Sequence, residues 1–243
     1  MLVTRRWYHS RVCGRVSLTS SDHREAAGLI AGMVTRFDAS ALSDWLARAH
    51  YRPRYNVGPG QEHYVVRARR GRPILARARW GMPGRTRELV INARAETIGE
   101  RPLFRAAFER TPCLVVADGF FEWPRKGEPQ PWWFRRREGG VLLAGVLHEA
   151  AEPGVPDEFV VVTVPANAEV ALVHHRMPAL IDPGVHEQWL FGSRDAARAL
   201  LVSAADGELQ ARAVSRRINA LEHDDPSCIA PVEPGASQLP LLR

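Results

Sequence analysis

Lysine is almost absent from this sequence. Of 33 basic residues among 243, Lys126 is the only lysine, so the positive charge rests on guanidinium groups, whose planar fork suits bidentate contact with phosphate. A genome that favours arginine codons would leave the same composition, and both readings stand at this point. Cysteine is scarce too. Cys13, Cys113 and Cys228 lie about a hundred residues apart, with no CxxC pair and no histidine spacing of the zinc-binding kind, so neither a structural metal nor a disulfide framework is expected. Free thiols fit a reducing cytoplasm. No apolar run reaches the length of a membrane span, and the basic start MLVTRRWYHSRV lacks the apolar core of an export signal. The expectation is a cytoplasmic, nucleoid-associated chain.

What is present points to a globular domain with an anionic partner. Hydrophobic residues make up 45% of the chain, the formal charge is +6 and the isoelectric point lies near 9.9, a balance that suits nucleic acid. Strand-like periodicity covers Tyr64–Arg69, Ile74–Trp80, Leu89–Ala93, Cys113–Phe121, Trp132–Arg137, Val141–His148 and Phe159–Val164. In the second of these, Ile74, Ala76 and Ala78 alternate with Leu75, Arg77 and Arg79, which predicts a sheet with one wet, basic face. Helical patterns cover Asp22–Met33, with Asp22 and Glu25 as a capping box, and Ala41–Ala49, Leu103–Arg110, Pro183–Phe191 and Asp195–Val202. Strands cluster and helices surround them. This predicts an α+β fold: one domain with a mainly antiparallel, barrel-like sheet flanked by helices. No repeat or linker breaks residues 13–220, whereas residues 1–12 read as an extension and 221–243 as an irregular tail.

Six short segments interrupt apolar strands with polar residues: Cys13-Gly14-Arg15, Arg54 to Pro59, Trp80-Gly81-Met82-Pro83, Ile91 to Thr97, Ala117 to Trp123, and Val173 to Pro178. Singly, each has an ordinary explanation, such as a turn asparagine, a solvated strand-end glutamate or a core histidine. Together and in this order they resemble the SOS-response-associated peptidase family, SRAP, whose members carry CGR, RYN-x-x-P, WG-x-x-P, NAR-x-E-T, DGF-x-EW and H-x-RMP. The resemblance runs from Cys13 to about Asn219.

That resemblance implies a protein that binds single-stranded DNA and joins covalently to abasic sites through Cys13, without a cofactor or metal, as a monomer. The chemistry is coherent. A ring-opened abasic site is an aldehyde, and a cysteine with a free α-amine offers nitrogen and sulfur on adjacent carbons, enough to close a thiazolidine ring. An α-amine with a pKa of about 7.8 is roughly one-third neutral at pH 7.5, against about 0.1% for an ordinary lysine. The thiol needs only modest activation. By the same resemblance Glu122 is the catalytic carboxylate and His174 a second acid/base, while Asn56 positions the cysteine and the opened sugar. Asn92 and Arg94, two apart on one strand, share a face and would hold phosphates, with Arg15 and Arg176 as further contacts. Trp80 and Trp123 have two readings, stacking on bases or packing in the core. His175 stands at a variable position and receives no role.

One feature departs from the family pattern, because twelve residues precede Cys13 where an initiator methionine is usual. An internal cysteine has an amide and cannot form a thiazolidine. Either the extension is cut off by the protein itself, or translation starts at Val12, since GUG encodes valine and also serves as a start codon. Two other functions stay open: a cysteine hydrolase acting in trans through the same Cys13, His174 and Glu122, and a non-catalytic module that binds single-stranded or modified DNA through the basic face and aromatic residues alone.

Overall fold

The computed structural model describes residues 13–84, 88–125 and 130–233. The extension of residues 1–12 and Lys126 lie outside them. In chain order the described elements are β1 (Arg15–Leu18), α1 (His23–Met33), α2 (Ala39–Arg48), β2 (Arg54–Val57), β3 (Glu62–Arg69), β4 (Arg72–Trp80), β5 (Met82–Pro83), β6 (Leu89–Val90), β7 (Asn92–Arg94) and α3 (Pro102–Arg110). They continue as β8 (Pro112–Ala117), β9 (Gly119–Glu122), β10 (Trp132–Arg136), β11 (Val141–His148), β12 (Glu158–Pro165), α4 (Ala168–Ala171), β13 (Arg176–Pro178), α5 (His186–Phe191), α6 (Arg194–Ala199) and β14 (Leu209–Ala213).

The pairings of one sheet close on themselves. β11 pairs with β8, β8 with β3, β3 with β4, β4 with β12, and β12 returns to β11, a ring that leaves these strands no free edge along the paired stretches. Toward its C-terminal end β12 exchanges β4 for β7 on one side and β11 for β13 on the other. Its contacts with β4 and β7 are parallel, and the other ring pairings are antiparallel. The expected α+β fold with a mainly antiparallel, barrel-like sheet is therefore present. A second sheet runs in the order β14-β10-β9-β1-β2.

The sequence pattern reads Cys113–Phe121 as one strand, but the chain changes sheets within it. β8 is wholly buried in the ring and β9 belongs to the second sheet, with Asp118 at the break. Its carboxylate accepts from Ser17 Oγ, Thr19 N and Thr19 Oγ1 at 2.5–2.6 Å. An apolar pattern of period two is the same in either sheet, so only the acidic residue marks the switch. Helix α1 has the expected N-cap, with Asp22 accepting from Arg24 N and Glu25 N, but Glu25 reaches back to Ser21 N, one residue before the N–H that a capping box would use.

The wet, basic face expected on β4 is altered in two ways. Leu75 is buried, and the arginines nearby have acidic partners: Arg77 pairs with Glu62, Arg79 with Glu158, and Arg67 on β3 with Asp157 and Glu149. Charge that looks uncompensated along one strand is neutralised from neighbouring strands and the loop before β12.

Residues 221–233 are irregular, as the sequence suggests, yet packed. A 3-10 turn at Pro226–Ile229 buries Cys228 against Phe121, Trp133, Val214 and Ile218, and Val214 bridges to Pro231. Asp224 fastens this segment to β2, accepting from Arg54 Nε at 2.5 Å, Tyr55 N at 2.6 Å and Asn56 N at 2.9 Å. Arg54 and Asp224 each leave 14% of their side chains exposed, so removing the carboxylate strands a guanidinium and two backbone donors with little water access. Asp224→Ala should therefore lower unfolding stability by about 3 kcal/mol. Thermal denaturation checks this, with an expected fall in Tm of roughly 6–12 °C.

A candidate active site on a buried carboxylate

The register of the second sheet brings the first site residues together. β1 pairs antiparallel with β9 so that Arg15 faces Phe121 and Val16 faces Phe120. The residues just before β1 therefore run alongside the end of β9, where Glu122 sits. Cys13 N donates to Glu122 Oε1 at 2.7 Å, and both residues are buried, at 0% and 1% exposure. Burial pushes the Glu122 carboxyl well above the usual range, and the hydrogen bond from Cys13 N offsets this in part. Burial also raises the Cys13 thiol well above its ordinary value, the Glu122 charge adds to that, and a hydrogen bond from the Arg15 backbone N–H works against it. The backbone at Cys13 lies at φ 35°, in the left-handed region that a side chain disfavours.

His174 precedes β13, and its Nδ1 lies 3.2 Å from both the N–H and the C=O of Arg176. The neutral ring can accept from the first and the imidazolium can donate to the second, so Nδ1 has a partner in either state. Burial, with the charges of His175, Arg125 and Arg176, lowers its basicity, although the Arg176 carbonyl opposes them. Burial thus disfavours the imidazolium, and in the neutral ring Nδ1 can either accept from the Arg176 N–H, with the proton on Nε2, or donate to the Arg176 carbonyl.

Asn56 sits elsewhere than expected. Its side chain is fully buried and saturated: Oδ1 accepts from Arg15 Nε at 2.9 Å, and Nδ2 faces the carbonyls of Ile218, Ala220 and His223 at 3.2, 2.9 and 2.8 Å. It ties Arg15 to the C-terminal segment, and no polar atom of its amide is left for a sugar. Arg15 is likewise buried, donating to Asn56 and to Gly14 O. Both residues hold the base of the cysteine strand.

The other expected DNA contacts divide in the same manner. Trp80 has 0% exposure, stacks on Phe159 and donates its indole N–H to Ile91 O, so it is core and offers no face to a base. Trp123 is half-buried and donates to Asn219 Oδ1 at 2.8 Å. Arg176 is buried and grips Glu96 through two bonds, at 2.5 and 2.9 Å, with Thr163 O as a further acceptor. Asn92 is half-buried, its Nδ2 at 3.5 Å from Cys13 O, at the outer limit of a hydrogen bond. Arg94 is exposed on β7. Of the expected arginine contacts, it is the one that faces water.

Among the described residues no cluster of His, Cys, Asp or Glu could hold a metal ion, and no helix is long and apolar enough to cross a membrane. Glu96 and Asp224 are the site residues that sequence reasoning missed. Glu96 had a signal, since it belongs to the same segment as Arg94, whereas nothing local marks Asp224.

The model of the SOS response associated peptidase (SRAP) family matches residues 12–221. The chain belongs to the SRAP family. Similar proteins include abasic site processing protein HMCES of Gallus gallus, 26% identical over 235 residues, covering 79% of this chain and 70% of the relative. Abasic site processing protein YoaM of Bacillus subtilis is 27% identical over 223 residues, covering 86% and 93%. Among solved structures, a protein from Bacteroides thetaiotaomicron superposes with a TM-score of 0.71 at 20% identity, covering 91% of this chain and 100% of that one. A phage-related protein from Bordetella bronchiseptica gives 0.63 at 24% identity, covering 84% and 95%. These two likenesses establish the fold.

The Arg176–Glu96 pair is a bidentate contact with one half-exposed partner. Arg176 hydrogen bonds hold the Glu96 carboxyl below its ordinary value, so the stabilisation is present above the unfolded carboxylate range near pH 4.3 and is lost as pH falls through the folded value. A double-mutant cycle with Arg176→Ala and Glu96→Ala should give a coupling of about 1 kcal/mol at pH 7. Urea titrations at pH 7 and pH 3 test it, and the coupling should be smaller at the lower pH.

Proposed function

We propose that this SRAP protein captures the aldehyde of an abasic site in single-stranded DNA, forming a thiazolidine through the nitrogen and sulfur of Cys13. The observation that carries this reading is the 2.7 Å contact between Cys13 N and the buried Glu122 carboxylate, which puts an acid/base group on the atom that must lose and gain protons. The names of the relatives as abasic site processing proteins favour the same substrate.

With Cys13 as the first residue, its α-ammonium replaces the amide beside Glu122 and favours the ionised carboxylate. Glu122 then takes a proton from the ammonium, and the freed amine adds to the aldehyde carbon to give a carbinolamine. Protonation of that hydroxyl releases water and leaves an imine. The thiolate adds to the imine carbon and the nitrogen regains a proton, so amine, thiol and aldehyde give thiazolidine plus one water. As the sugar ring opens, the anomeric hydroxyl gives its proton to water while the C=O forms, and His174, in its protonated form, gives one to the ring oxygen as the bond to that carbon breaks, returning to neutral imidazole.

The same contact suits exposure of the amine by self-cleavage. Attack of the Cys13 sulfur on the preceding carbonyl carbon breaks the carbon–nitrogen bond, Glu122 protonates the departing nitrogen, and water hydrolyses the thioester. The left-handed φ at Cys13 adds strain of order 1–3 kcal/mol, which scission relieves. We place the protein's action on DNA within repair, with a single strand as partner and Arg94 as a phosphate contact.

Three measurements test this reading. A form beginning Met-Cys13, whose methionine is removed in the cell, should give a heat-stable adduct with abasic single-stranded DNA, whereas one with Val12 replaced by a bulky residue should bind without crosslinking until it is cut before Cys13. Denaturing gels read the adduct and intact mass reads the cut; equal crosslinking by the uncut form would overturn the thiazolidine. Glu122→Gln keeps the shape but cannot exchange a proton, so the crosslinking rate should fall by about a hundredfold or more with DNA affinity little changed. Arg94→Ala should lower affinity for all sequences and reduce the salt slope by about 0.7, as followed by fluorescence anisotropy.

A further inference from the structure

His175 has no part in the chemistry above, yet it is the exposed neighbour of buried His174, with ring centroids 4.5 Å apart and planes at 45°. Three separate segments meet around it. Thr163 of β12 pairs with Arg94 on one side and with Pro178 on the other, so β7 and β13 flank one point of the ring sheet. Arg125 comes from the chain that leaves β9 just after Glu122. After burial, the charges of Arg125, Arg176 and Arg94 lower the basicity of His175, and Arg125 and Arg176 also act on His174.

These cations are not equivalent. Arg176 is matched by Glu96. Arg94 and Arg125 are exposed and have no carboxylate partner among the described residues. Glu96 lies within electrostatic reach of Arg94 but is bound by Arg176, so two guanidinium groups without an ion-pair partner of their own beside an imidazole make a site that an anion would stabilise.

We propose that Arg94, Arg125 and His175 form an anion subsite that takes a phosphate of the DNA strand beside the lesion, with His175 joining as an imidazolium when the anion is seated. The DNA source of that phosphate rests on the abasic-site reading, whereas the anion subsite does not. The groups that face His175 are His174 on its own turn, Arg176 with Glu96 from β13 and the turn after β7, Arg94 from β7, and Arg125 from beyond β9. Without an anion, burial and the cations disfavour protonation of His175. A seated anion offsets them, so protonation and anion binding favour each other, and the coupling is reciprocal. Anion affinity therefore rises as pH falls below the ordinary imidazole value. His174 feels two of the same cations, so its basicity recovers in the same direction, next to the sugar oxygen that needs its proton.

The test uses the full chain and sulfate, which keeps its charge across the range, against chloride at equal ionic strength. Imidazole C2–H resonances followed by NMR against pH, with His175→Asn to assign the signal, should show the His175 midpoint about half a unit higher in sulfate. By linkage this is about a threefold tighter hold on the protonated form. The rise should disappear in Arg125→Ala. An unchanged midpoint in the parent chain, or a rise that persists in Arg94→Ala/Arg125→Ala, overturns the subsite. An undamaged oligothymidylate should raise the same midpoint; a response to sulfate without one to the oligonucleotide overturns the assignment to a strand phosphate. Neither arm contains an abasic site, so failure of crosslinking would sink the thiazolidine reading and leave this one standing.

Discussion

A carboxylate buried at the end of β9 is the constraint around which the rest of the site is arranged. An ionisable group with 1% exposure is costly to keep unless a donor faces it, and here the donor is the backbone nitrogen of Cys13. That contact depends on the β1–β9 register, because a slip by one residue would turn β1's side chains to the opposite face. The register is in turn braced from behind by Arg15, Asn56 and Asp224, a relay that runs from β1 through β2 into the C-terminal segment. Several residues that resemble direct participants are therefore supports for one nitrogen and one sulfur.

Arginine serves two purposes in this chain. Arg54, Arg67, Arg79, Arg136 and Arg176 are matched by carboxylates and join segments distant in sequence. Arg94 and Arg125 face water near the histidine turn. The net positive charge says little about which is which, since composition counts all of them alike. Separation comes from the fold, which supplies acids to some guanidinium groups and withholds them from others.

Much of the fold was legible because long apolar periodic runs had no alternative but to become strands. The runs at Tyr64–Arg69, Val141–His148 and Phe159–Val164 all fall within β3, β11 and β12. What escaped were strands of two to five residues, such as β1, β5, β13 and β14, too short to show a period and defined by their partners, together with the sheet change at Asp118. In the site, the motifs named Cys13, Glu122 and His174, and the first two prove to be in direct contact. The motifs could not tell which polar residues touch a ligand and which hold another residue. Asn56 and Trp80 look alike in sequence to a contact and to a support, and only their saturated hydrogen bonds and full burial decide.

The position of β1 within its sheet also bears on mechanical load. β1 has β9 on one side and β2 on the other, and Cys13 stands just before its first residue. A cargo attached at Cys13 and pulled along the strand direction loads both ladders in shear, so bonds to Phe121 and Phe120 on one flank and to Val57 on the other share the force. An edge strand loaded in the same direction would carry the force on one ladder alone. A pull applied at Cys13 along the strand is thus divided between two ladders from the outset.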